Sequence, residues 1–228
     1  MAGEWSTVFA GDGLEVVAAS LSAGPDELEQ LTRVLSADER ERAARYRWER
    51  DRRKFIVGRG RLRHELGARL GRAADEIRFR YGANGKPGVD GDRRLSFNLS
   101  HSDDLMLVAI GNGHDVGVDV ERLRPFPEMA GVASEFLTMA ELDRLASVDE
   151  AERLVTVYRM WTRREAWLKA RGVGLSVPLE SLDLDVCRDG RATPGAAGEG
   201  CSGVVGEVHD LTPASGYVGA VAAIAPRT

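Results

Sequence analysis

Apolar and polar positions change period several times along this chain. Residues 14–19 (LEVVAA) form a short apolar run that predicts a strand, and a polar segment follows to residue 34. At Ser36-Ala-Asp-Glu39 the pattern switches. A serine three residues before a glutamate is a capping box that opens a helix. Tyr46, Phe55, Leu62, Leu66 and Leu70 then recur at spacings that predict one or two amphipathic helices reaching about Gly71. A short strand over 77–81 and a turn-rich stretch over 82–88 come next. Three strand-like pieces cover 95–99, 105–110 and 116–120, with Gly111-Asn-Gly113 as a turn between the last two. Beyond Pro125 and Pro127 the chain turns helical. A second capping box, Thr138-Met-Ala-Glu141, precedes a longer helix over about 150–170, ended by Gly172 and Gly174. A strand over 182–186, a Gly/Ala-rich loop over 187–203 and a strand pair over 204–208 and 217–225 close the chain.

The two capping boxes echo each other. Leu35-Ser36 with Glu39 and Arg42 matches Leu137-Thr138 with Glu141 and Arg144, at a constant offset, and each box leads into a second helix and then strands. A duplicated unit and a chance match both account for so few residues.

Composition narrows the class. At 228 residues with 43% apolar and 29% charged positions, the chain can bury a proper core and is not of disordered composition. No apolar run approaches the length of a membrane span, and residues 1–17 lack a basic and apolar leader pattern. Two cysteines, Cys187 and Cys201, stand without metal-ligand spacing, so a reduced, cytoplasmic protein is expected. Net charge is −5, yet residues 38–72 hold 13 basic against 6 acidic side chains. A basic segment in an acidic chain suggests a local anion site rather than a nucleic-acid coat. Only three of the 31 basic residues are lysine: Lys54, Lys86 and Lys169.

Four segments carry candidate chemistry. In Val116-Gly-Val-Asp-Val-Glu121, strand alternation puts Asp119 and Glu121 on one face. Their mutual repulsion calls for a cation, and Mg²⁺ suits carboxylates that share it with phosphate oxygens; ordinary surface acids are the bland alternative. In Trp161-Thr-Arg-Arg-Glu-Ala-Trp-Leu-Lys169, Glu165 and Lys169 share a helix face in apolar surroundings. A surface ion pair would look the same. Phe97-Asn-Leu-Ser-His-Ser102 offers Ser100, His101 and Ser102 as hydrogen-bond donors to an anion, or simply a satisfied turn. Asn84-Gly-Lys-Pro87 is a tight turn presenting one lysine.

Taken in order, Asn-Gly-Lys-Pro, Phe-Asn-x-Ser-His-Ser, Val-Gly-Val-Asp-x-Glu and Trp-x-x-x-Glu-Ala-x-x-Lys resemble the 4′-phosphopantetheinyl transferases, in their larger, Sfp-type branch. The resemblance runs from about Ser36 to Leu184. It implies an α+β fold of two similar halves, 1–112 and 113–228, packed as an intramolecular pseudo-dimer with the active site between them. It implies transfer of the phosphopantetheine arm of coenzyme A to a serine of an apo acyl or peptidyl carrier protein, with release of adenosine 3′,5′-bisphosphate. Position by position, Asp119, Glu121 and Glu165 match the family's magnesium-binding acids, and Lys169 the lysine at the pyrophosphate. Ser100 and His101 match residues holding coenzyme A phosphate, and Lys86 and Pro87 the turn beside the nucleotide. Arg42, Arg53 and Lys54 fall where the family places cations for the 3′-phosphate. Glu165 is also a candidate general base. Arg164 departs from the pattern, because the family usually has lysine there. The larger branch points to polyketide or nonribosomal-peptide carriers, and an internal pseudo-dimer to a monomer. A non-catalytic coenzyme A-binding regulator is the rival; it would need the anion-binding residues but not the three acids.

Overall fold

In the computed structural model, residues 5–92, 94–127, 129–173, 184–186, 191–194 and 206–225 are described. Two antiparallel sheets lie inner face to inner face, each covered outside by a 22-residue helix. The first sheet has the order β1 (Ser6–Gly11), β2 (Leu14–Ser20), β6 (Leu105–Asn112), β5 (Leu95–Ser102). The second runs β7 (Asp115–Arg122), β11 (Tyr217–Ile224), β10 (Gly206–Leu211), β9 (Arg191–Pro194), β8 (Leu184–Val186). Helices α1 (Pro25–Arg33), α2 (Ala37–Ala44) and α3 (Glu49–Leu70) belong with the first sheet. Helices α4 (Met129–Ser134), α5 (Met139–Ala146) and α6 (Glu150–Arg171) belong with the second. A small hairpin, β3 (Phe79–Tyr81) with β4 (Pro87–Val89), stands between α3 and β5.

Strand periodicity builds these layers. Val17 and Ala19 of β2, with Met106, Val108 and Ile110 of β6, face outward onto Ile56, Val57, Leu62 and Leu66 of α3. Their neighbours Leu14, Val16, Ala18, Leu107 and Ala109 face inward and meet Val116, Val118, Val120, Val221 and Ala223 of the second sheet. The outward residues of that sheet, Ala220, Ala222 and Ile224, pack with Val208 under Ala166, Trp167, Leu168 and Ala170 of α6. Trp167 is fully buried, and losing a side chain of that size from a core costs about 3–5 kcal/mol.

The echo of the capping boxes is structural. The two halves repeat the order helix, long helix and three-strand core, β2–β6–β5 in one and β7–β11–β10 in the other. Both long helices end on a left-handed glycine, Gly71 and Gly172, each with φ 63°. Both box glutamates are buried ion-pair partners of a long-helix arginine. Arg63 Nε donates to Glu39 at 2.7 Å, and Arg164 Nη2 to Glu141 at 2.5 Å. Each glutamate also accepts from its own N-cap amide, Ser36 at 3.0 Å and Thr138 at 2.9 Å.

Several expectations change. Strand β1 precedes the first expected strand, and helix α1 lies in the stretch expected only to be polar; Gly24-Pro25 rather than a serine or threonine cap starts it. The strand expected over 77–81 is only Phe79–Tyr81, because its partner is the three-residue β4 inside the stretch read as turn. The turn expected at Gly111-Asn-Gly113 is present at the end of β6, with Gly113 at φ 78°, but it links two sheets instead of two paired strands. Strand β6 pairs β2 and β5, and the chain crosses there to the other sheet, where β7 pairs β11. The loop expected over 187–203 contains strand β9. The closing hairpin is β10 with β11. Residues 174, 182–183, 187 and 201–205, on which expectations for Gly174, for two strand starts and for both cysteines rest, lie outside the described residues.

Candidate active site

Strand β7 supplies the centre of the site because its two faces differ in chemistry. Val116, Val118 and Val120 enter the inter-sheet core, so Gly117, Asp119 and Glu121 must face α6. Gly117 admits the helix: a side chain there would overlap the Ala166 carbonyl and the Ala170 amide. With the helix this close, Lys169 reaches Asp119, Nζ to Oδ1 at 2.6 Å. Glu165, one turn earlier on α6, faces the same space.

Strand β5 closes the site from the other half. It is the edge of the first sheet as β7 is the edge of the second, and side chains join these edges. Asn98 Oδ1 accepts from the Val118 amide at 2.9 Å, Ser100 Oγ donates to Asp119 Oδ1 at 2.9 Å, and Ser102 Oγ donates to Glu121 Oε2 at 2.8 Å. Residues 98, 100 and 102 share one strand face, so this zipper splits the Ser-His-Ser segment. Ser100 and Ser102 turn to the acids, while His101 turns with Phe97 and Leu99 to the opposite side. The serine hydroxyls expected to bind an anion are therefore donors to carboxylates.

The acids are only partly satisfied. Asp119 is 4% exposed, and among the described residues neither its buried Oδ2 nor the buried Glu165 Oε1 has a hydrogen-bond partner. Burial pushes the Glu165 carboxyl above the usual carboxylate range; Lys169 opposes this and Asp119 adds to it. Burial also raises Glu121. The Ser102 bond and Lys169 oppose that shift, and Asp119 and Glu165 reinforce it. Three acids thus crowd Lys169, and two of their buried oxygens lack a hydrogen-bond partner among the described residues. Among the described residues no three acid, histidine or cysteine side chains close into a complete metal cage. A cation held by one or two carboxylates plus a ligand's own phosphates does not need one.

On the other side of β5 lies a cleft of about 480 Å³. Arg42, Tyr46, Lys54, Phe55, Arg59 and His101 line it, with Tyr81, Gly85 and Pro87 from the small hairpin. The Arg42 guanidinium lies 5.2 Å from the Phe55 ring centre. Lys54 Nζ donates to the Asp103 carbonyl at 2.8 Å and pairs with Asp104 at 3.0 Å. Crowding at this wall, then the charges of Lys54 and Lys169, lower the His101 pKa below its ordinary value. A second, smaller cleft, between Asn84, Lys86 and α6, shares Gly85, Pro87 and Asn98 with the first and is lined by Glu165 and Lys169. The two clefts meet at that shared wall, Arg42 and Lys54 lining the larger and Glu165 and Lys169 the smaller.

The predicted residues therefore gather unevenly. Asp119, Glu121, Glu165, Lys169 and Ser100 come together, and Arg42, Lys54, His101 and Pro87 line the cleft. Arg53 does not line the main cleft: it donates to the Ala23 carbonyl at 2.9 Å and lines a neighbouring depression that shares Leu21 and Lys54 with it. Lys86 donates to the Ala170 carbonyl at 2.7 Å. Arg164 is 1% exposed and bound to Glu141, away from the acids, so its charge serves the α5–α6 contact. Sequence reasoning passed over Asn98 and Arg59. Asn98 was inside a quoted motif, and Arg59 falls on the helix face of Phe55 and Leu62.

Comparison with known proteins finds matches along both halves of the chain. Residues 115–222 match the family model of the 4′-phosphopantetheinyl transferase superfamily, and residues 21–112 that of the 4′-phosphopantetheinyl transferase N-terminal region. The chain is 38% identical over 162 residues to 4′-phosphopantetheinyl transferase HetI of Nostoc sp., covering 69% of this chain and 68% of that protein. It is 30% identical to 4′-phosphopantetheinyl transferase psf-1 of Bacillus pumilus, covering 73% and 70%. It is 26% identical to 4′-phosphopantetheinyl transferase Sfp of Bacillus subtilis, covering 74% of each.

Proposed function

Because this chain belongs to the 4′-phosphopantetheinyl transferase superfamily and is an enzyme of that class, we propose that it moves the phosphopantetheine arm of coenzyme A onto a serine of an apo acyl or peptidyl carrier protein. The reaction uses Mg²⁺ and releases adenosine 3′,5′-bisphosphate. The observation that carries this reading is the pair of buried, unpartnered oxygens, Asp119 Oδ2 and Glu165 Oε1, beside the single lysine Lys169. Asp119, Glu121 and Glu165 would hold the ion, which when bound supplies charge neutralisation to a pyrophosphate.

The remaining work falls to side chains. Ser100 and Lys169 hold Asp119 in place from two directions, at 2.9 and 2.6 Å. Lys169 is then placed to offset negative charge growing on the departing bisphosphate. Glu165 accepts the carrier serine's proton, directly or through water, as the serine oxygen attacks the β-phosphorus. Arg42 and Lys54 form the cationic end of the cleft and, with His101 beside them as a hydrogen-bond partner, would receive the 3′-phosphate. The halves divide near residue 112, between β6 and β7, and a site already completed by two internal halves suits a monomer. Membership in the larger branch favours polyketide or nonribosomal-peptide carriers. The test is stoichiometric. Bisphosphate release should keep pace with carrier modification, stop when divalent ions are chelated and resume with Mg²⁺. Release without a carrier, or modification indifferent to chelation, would refute the reading.

A further inference from the structure

Lys86 does not point where a ligand contact should. Its ammonium donates to the Ala170 carbonyl at 2.7 Å, and Asn84 Nδ2 donates to the Gly172 carbonyl at 2.8 Å. Both acceptors lie at the C-terminal end of α6, where carbonyls lack helical partners and the helix dipole is negative. The Lys169 carbonyl between them and the helix body is taken by the Gly172 amide at 3.2 Å. The contact is tight: a side chain on Gly172 would come within 3.3 Å of the Lys86 stem. The donors are held by a turn that closes on itself, Gly82 amide to Lys86 carbonyl and Gly85 amide to Gly82 carbonyl, both at 2.9 Å, with Gly85 at φ 78°. That turn belongs to one half and the helix to the other. Gly85 and Pro87 of the same turn wall the cleft that holds Arg42, Lys54 and His101.

We propose that Lys86 and Asn84 are positioning residues: they clamp the last turn of α6, and with it Lys169 and Glu165, against the wall of the nucleotide cleft. The clamp fixes the distance between the cationic end of the cleft and the acids, and so the span over which one ligand must reach both. Its kinetic consequence rests on the transferase reading above; its structural consequence does not.

The test compares Lys86→Met, Asn84→Ala and Lys86→Arg in the full chain. Hydrogen exchange of the amides of 168–172 is read on ligand-free protein, alongside kcat and the KM for coenzyme A. The clamp predicts exchange faster by about tenfold in both Lys86→Met and Asn84→Ala. It predicts kcat lower by about fivefold to tenfold in both, with KM for coenzyme A within about twofold, and partial recovery in Lys86→Arg. A direct ligand contact predicts the reverse: KM up by about tenfold in Lys86→Met, Asn84→Ala unaffected and exchange unchanged. That result would overturn the proposal, as would wild-type exchange in both variants. A wild-type chain that modifies no carrier would count against the transferase reading, and exchange alone would then decide the clamp. Asn84 is exposed, so its variant should fold even if Lys86→Met does not.

Discussion

Lys169 and Asp119 meet at 2.6 Å across the boundary between α6 and β7, and the pairing uses only one carboxylate oxygen. Ser100 binds that same oxygen, while the other is buried and bare. One oxygen thus anchors the side chain and the other is free for a cation. Asp119→Asn keeps the shape and removes the charge. Its kcat/KM should fall at least about 100-fold, and activity should no longer saturate at Mg²⁺ levels that saturate the wild type. Circular dichroism should show the fold retained. Activity within about tenfold of wild type would remove Asp119 from the metal site.

Glu165 shares the metal role in this account and has a second one as proton acceptor. Glu165→Gln should lower kcat by about 100-fold or more while the coenzyme A dissociation constant moves less than about threefold. Single-turnover kinetics and calorimetry separate the two. Equal losses in both would reduce Glu165 to a metal ligand.

How much of this was readable in advance depends on residue type. Both capping boxes, the long helices and the strands read at 95–99 and 105–110 announce themselves by period and by glycine stops, though the strands run on to Ser102 and Asn112. Asp119 and Glu121 are legible as one face of a strand and Glu165 and Lys169 as one face of a helix, whereas their joining in one site is what the family resemblance of the ordered motifs implies. The direction of a side chain was harder. Ser100 and His101 are adjacent, so strand pleating had to send them to opposite sides, yet which side carries the acids depends on the β5–β7 edge contact. Lys86 and Arg164 could not be placed from local pattern, since their partners lie 84 and 23 positions away. Helix α1 was missed because its few apolar residues, such as Leu28 and Leu31, are outnumbered by charge.

Arg164 and Glu141 form a buried pair, so removing one partner strands a charge. Arg164→Ala should lose about 3–5 kcal/mol of stability, measured by urea unfolding. Glu141 also carries a pH dependence. Burial pushes its carboxyl up, but the Arg164 bond and charge and the Thr138 bonds outweigh this, so its folded pKa lies below the ordinary 4.5. The unfolded chain then binds the proton more readily. The stabilisation is complete above the ordinary value and is lost as pH falls through the folded one. Between about pH 5 and 3 the wild-type urea midpoint should drop more steeply than that of Glu141→Gln. Parallel slopes would show that the pair contributes nothing.

Gly117 and Gly131 give a contrasting pair. Alanine at 117 would collide with backbone atoms of α6 at Ala166 and Ala170, so the helix must move. Gly117→Ala should destabilise by several kcal/mol, about the top of the range for point changes, and lose activity with it. At Gly131, in helix α4, a new methyl group meets nothing within 4 Å. Gly131→Ala should be neutral or stabilise by up to about 1 kcal/mol. Thermal unfolding of both variants checks the difference.

The central claim is that the cleft and the acids of this chain together transfer phosphopantetheine. The most direct measurement is the intact mass of apo carrier proteins incubated with the chain, coenzyme A and Mg²⁺. The account predicts a gain of one phosphopantetheine arm on the carrier, absent when the carrier serine is changed to alanine and when Asp119→Asn replaces the wild-type chain. No gain on any of several acyl and peptidyl carriers would contradict it.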